Sequence, residues 1–170
     1  MYYKTGLLFC LLLVELAVMA QSENDKRIEL GRRVFTALQT NDSKLYRNLY
    51  PSFEEYKGLM QQMVDAKIDG LTQEQMNEFL EDYKTKADST YHAEFVALLQ
   101  QADSLGINWS ESKFTSFESI ATYPEHISIK YLDGYLKFNV AQTAYIMDVE
   151  GFEFNPAFKL QAVKNIRKDE

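Results

Sequence analysis

Residues 105–120 read LGINWSESKFTSFESI. Upstream of this stretch the apolar residues recur every three or four positions, and downstream the period shortens towards two. A helix therefore ends here and a sheet begins. Gly106 is placed to end the helix in the left-handed conformation, which a residue without Cβ adopts at no steric cost. Working back from it, Met76, Phe79, Leu80, Tyr83, Ala87, Tyr91, Phe95, Leu98, Leu99, Ala102 and Leu105 hold one face of a long helix. Asp88-Ser89-Thr90 carries the poorest helix formers in that run, so a bend or break is expected there. "TQEQ" (Thr72–Gln75) opens the helix as a capping box.

Three shorter helices precede it. Ile28, Leu30, Val34, Phe35 and Leu38 form a helical stripe over residues 24–40. Asp42 or Ser43 can cap a second helix that Pro51 stops. "SFEE" (Ser52–Glu55) is a further capping box, opening a third helix with Tyr56, Leu59, Met60 and Met63. Asp69-Gly70 ends that segment.

Downstream, "HISIKYL" alternates Ile127, Ile129 and Tyr131, and Asp133-Gly134 reads as a two-residue hairpin turn. The next strand is expected to put Leu136, Phe138, Val140, Ala144 and Ile146 on one face. Glu150-Gly151 or Asn155-Pro156 makes the following turn. Phe158, Leu160, Ala162 and Ile166 then share a face of the last strand. The fold class is α+β: N-terminal helices, one of them long, packed on one face of a roughly four-stranded antiparallel sheet. The long helix is the expected cover for the apolar sheet face. There is no internal repeat or low-complexity tract, and one domain over residues 21–170 is expected.

Residues 7–21, "LLFCLLLVELAVMAQ", set the compartment. The apolar run from Gly6 to Ala20 would span about 22 Å as a helix, short of a roughly 30 Å hydrocarbon core, and Glu15 sits inside it. Phe9 before Cys10 does not fit a lipid-attachment site. Lys4, the run Leu7–Val14 and the small residues of Val18-Met19-Ala20 fit a secretory signal peptide over residues 1–20, cut between Ala20 and Gln21. Loss of that segment removes Lys4, Glu15 and the only cysteine, and leaves the net charge at −7. The mature chain is then expected in the periplasm or the medium, with no membrane anchor. Its acidity argues against nucleic acid as a partner.

Few motifs carry chemistry. "DAKIDGLTQEQM" (Asp65–Met76) superficially resembles a calcium loop, but Lys67 takes a ligand position and Met76 stands where a bidentate Glu is needed. His92 and His126 fall in different elements, without metal-like spacing to other ligands. There is no G-x-S-x-G and no mature cysteine. Neither a metal nor a cofactor is expected. Asn41-Asp42-Ser43 and Asn108-Trp109-Ser110 match a glycosylation sequon, a pattern that polar turns also produce by chance. The eleven tyrosines read mainly as core and rim packing.

The second half, through Gly106, Trp109, Asp133 and Gly134, resembles small exported bacterial proteins of the nuclear transport factor 2-like or cystatin-like superfamily. That resemblance implies a curved antiparallel sheet and a pocket between helices and sheet. Two functions follow from it. One is a non-catalytic binding or interaction module for a small molecule or a protein. The alternative is a ketosteroid isomerase-like or hydrolase-like enzyme. For the second, Asp148 shares strand parity with Phe138 and Ile146 and would face the helices, with Tyr83, Tyr91 and His92 opposite. The competing reading leaves Asp148 in solvent at a strand end.

Overall fold

The structure is a computed structural model that describes residues 22–123, 128–154 and 157–169. The expected signal peptide over residues 1–20, His126, Ile127 and the expected Asn155-Pro156 turn lie outside the described residues.

Helix α1 covers residues 22–39. It ends in a left-handed Asn41, with the Asp42 N–H bonded to the Ala37 carbonyl and the Asn41 N–H to Leu38. Asp42 then caps α2 (Ser43–Arg47), accepting from the Leu45 N–H at 2.8 Å. Helix α3 (Phe53–Asp65) and the 32-residue α4 (Gln73–Ser104) each open with the reciprocal capping box that their sequences predict. Helix α4 runs unbroken through Asp88-Ser89-Thr90. Its packing against α2, α3 and β4 outweighs the weak local propensity. Gly106 adopts φ +70°, and the bonds Ile107 N–H to Ala102 and Gly106 N–H to Asp103 complete the stop. Phe79, expected on the buried stripe, is 48% exposed.

The sheet is a curved, unclosed antiparallel meander of β1 (Ser112–Thr122), β2 (Tyr131–Val140), β3 (Thr143–Phe154) and β4 (Ala157–Lys168). The expected α+β arrangement of helices followed by this sheet is present. The expected Asp133-Gly134 turn is not. Both residues lie inside β2, where Gly134 pairs with Ser119 and Val149. Leu132, Gly134, Leu136 and Phe138 form one unbroken buried alternation, and that long-range pattern overrides the local dipeptide signal. Gly134 is needed for a close approach, because a Cβ there would strike Phe117, Ser119 and the β1 backbone. The hairpin turns instead at Ala141-Gln142, with Ala141 at φ +51°. Glu150-Gly151 also lies within a strand, and β3 and β4 part only after Phe154.

Strand β4 is bulged twice against β3. Its buried residues are therefore Phe158, Leu160, Val163 and Ile166, so Val163 replaces the expected Ala162.

The cover of the sheet also differs from expectation. Helix α1 lies against its inner face: a Cβ on Gly31 would sit 2.5 Å from Phe117, and Phe35 meets the rings of Trp109, Phe114 and Phe138. Helix α4 approaches the sheet along β4. Gln101 bonds both the N–H and the carbonyl of Ile166, Glu94 accepts the Val163 N–H, and the Leu49 carbonyl accepts the Leu160 N–H. On the opposite border, Arg27 and Gln39 of α1 donate to the Ser119 and Ser112 carbonyls of β1. Helix side chains and a loop carbonyl thus occupy both borders of the sheet.

Candidate functional site

A cleft of about 330 Å³ opens where α3, α4 and the far ends of β3 and β4 meet. Its amphipathic wall is α3, whose helical spacing brings Tyr56, Leu59, Met60 and Met63 together. Tyr50 and Pro51 enter from the α2–α3 connection, Tyr91 from α4, and Phe152, Leu160 and Gln161 from the strands. No Lys, Arg, His, Asp or Glu is among these lining residues. Wider hollows at Gln62, Asp65 and Ser128, and at Leu105 and Arg167, are more open and lie on the surface.

Behind the cleft lies a tyrosine cluster. Tyr91 stacks on Tyr50 at 3.7 Å between ring centroids, and Tyr56 stacks on Tyr83 at 4.4 Å. The Tyr83 hydroxyl donates to the Pro51 carbonyl. The Arg47 guanidinium lies 5.0 Å over the Tyr91 ring and pairs with Asp88. Tyr46 of α2 and Tyr50, just beyond that helix, both donate their hydroxyls to Oε1 of Glu94, which also accepts the Val163 N–H at 3.2 Å. Burial, first, and then the neighbouring charges of this group push both tyrosines far above the ordinary phenol range. They are therefore neutral donors at any physiological pH. Burial and Tyr83 likewise raise Tyr91.

The four residues singled out in the sequence do not converge. Tyr83 and Tyr91 meet within the cluster, at 6.3 Å between centroids. His92 is exposed, since consecutive helical residues point some 100° apart. Asp148 does not face the helices. Counting parity straight from Phe138 to Asp148 ignores the hairpin between them. With Val140 opposite Thr143, the inward partners of Leu136 and Phe138 are Met147 and Tyr145, so Ile146 and Asp148 point outward. Asp148 sits in mid-strand, bonded to Asn165 and Arg167 at 2.8 Å each.

Tyr46, Tyr50 and Glu94 were missed, although a signal for them exists. Ala87, Tyr91, Glu94 and Leu98 follow helical spacing, so Glu94 is a carboxylate standing in an apolar stripe. Tyr46 and Tyr50 are spaced to point the same way. Among the described residues no group of three or more His, Cys, Asp or Glu is arranged to hold a metal, and no helix is long and apolar enough to cross a membrane. No family model matches the chain, and neither a curated protein nor a solved structure matches it.

Proposed function

We propose that the chain is an exported binding module, without catalysis of its own, whose α3–α4–sheet cleft takes a small, largely apolar ligand. The observation that carries this reading is the lining: aromatic rings, Leu59, Leu160 and the two thioethers of Met60 and Met63, with Gln161 at hand for orientation. Its volume falls at the lower end of the roughly 300–1,000 Å³ typical of small-molecule sites. Thioethers adapt to irregular apolar shapes, which suits a receptor better than a site that must fix a reacting atom. The isomerase-like alternative is less well supported. It needs a base aimed into the cleft, and Asp148 is committed to Arg167 on the outer sheet face. Export is proposed on the n-region, apolar run and small cut-site residues of the first twenty positions.

The test is titration of the purified protein with phenylnaphthylamine, a neutral probe that fluoresces in apolar surroundings. Saturable enhancement is expected, and Met63→Trp, which fills the cleft, should abolish it without lowering the thermal midpoint. Enhancement that is absent, or that survives Met63→Trp, overturns the reading.

A further inference from the structure

We infer that the ligand of this cleft is a small organic cation, an aryl- or alkylammonium held by aromatic rings in front of Glu94. The inference rests on the cleft being the ligand site. Its first support is the charge accounting of half-buried carboxylates. Among the described residues, Glu23 and Glu153 face Lys130, Glu55 faces Lys159, Asp148 faces Arg167 and Glu150 faces Lys164. Glu94 is equally half-buried, and none of the described ion pairs includes it. It accepts only dipoles, from Tyr46, Tyr50 and the Val163 N–H. A carboxylate withdrawn from water without a counter-charge is costly, and a bound cation relieves that cost.

The second support is the wall between Glu94 and the cleft. Tyr50 lines the cleft with its ring while its hydroxyl is bonded to Glu94, so the negative charge lies one tyrosyl ring behind the surface. Tyr56, Tyr91 and Phe152 add further rings. Aromatic faces attract cations, and quaternary ammonium groups are recognised by such cages. The same cluster already holds one of the protein's own cations, Arg47 over Tyr91. An anion would meet aromatic and aliphatic side chains backed by the Glu94 charge, with no basic side chain in the lining. The net charge of −7 adds a long-range bias in the same direction.

The experiment compares three probes of similar shape by calorimetric titration: para-hydroxyphenyltrimethylammonium, neutral para-tert-butylphenol and para-hydroxybenzenesulfonate. The ammonium should bind at least about fivefold more tightly than its neutral isostere, with the sulfonate weakest. Glu94→Gln keeps the carbonyl acceptor for both tyrosines and Val163 and should erase the preference while leaving para-tert-butylphenol binding unchanged. If that variant fails to fold, Tyr56→Leu on the half-exposed face of α3 serves instead, and should reduce ammonium binding more than phenol binding. Equal binding of the ammonium and the phenol overturns the inference and leaves the apolar-module reading standing. A preference that survives both substitutions also overturns it. Binding of none of the three overturns both readings.

Discussion

A Cβ at position 134 would lie 2.7 Å from Ser119 Cβ, 2.8 Å from the Glu118 carbonyl oxygen and 2.9 Å from the Phe117 ring. Two of those atoms belong to backbone or to a buried ring, so they have little room to yield. Gly134→Val is therefore expected to cost about 1–3 kcal/mol through overpacking. Urea unfolding followed by Trp109, the only tryptophan, would measure it. The true turn behaves oppositely. Ala141 holds a left-handed φ of +51°, a region that costs an L-residue roughly 1–2 kcal/mol. Ala141→Gly should consequently raise the unfolding free energy by up to about 1 kcal/mol in the same assay. The Asp-Gly pair misleads because dipeptide chemistry reports only what a local turn needs. It says nothing of a neighbouring strand pressed so close that a side chain cannot fit.

For helices, starts and stops are legible because caps are local chemistry. Ser52–Glu55, Thr72–Gln75 and Gly106 do what their types predict. The Ser52 cap also makes a pH prediction. Burial pushes the Glu55 carboxyl up, but its hydrogen bonds from Ser52 and the nearby Lys159 outweigh that and hold it below its ordinary value. The resulting stabilisation is complete above the unfolded-state value of about 4.3 and is lost as pH falls through the lower folded value. Glu55→Gln should flatten the acid limb of a stability–pH curve and leave the curve near neutrality almost parallel to wild type. In the tyrosine cluster, a hydrophobic replacement of Glu94 removes the shared acceptor of Tyr46, Tyr50 and the Val163 N–H. Glu94→Leu is expected to cost several kcal/mol, more than Tyr46→Phe, which removes a donor along with its need. Thermal melts of the two variants side by side would rank them. This cluster escaped the sequence reading because Tyr46 and Tyr50 lie more than forty residues from Glu94, and only tertiary packing brings them together.

Across the whole molecule, Leu98 and Phe138 are 4% and 0% exposed within one continuous core that also holds α1 and all four strands. Leu98→Ala and Phe138→Ala should each cost about 2–5 kcal/mol, measured by chemical denaturation. The α+β class was legible from the change of period near Gly106. Which helix covers the sheet was not, because both α1 and α4 carry apolar stripes, and a stripe does not name its partner. The β4 bulges were also hidden, since inserted residues break the parity that sequence reading relies on. The contacts made on both borders of the sheet have a consequence for behaviour in crowded solution. An open strand edge is a template on which another chain can be copied into a growing fibre. Here Gln101, Glu94 and Leu49 occupy one border and Arg27 and Gln39 reach the other. A strand adding along either edge must first displace these contacts. The lag before fibre growth should therefore track the detachment of α1 or α4 rather than protein concentration alone, and Gln101→Ala with Gln39→Ala should shorten it.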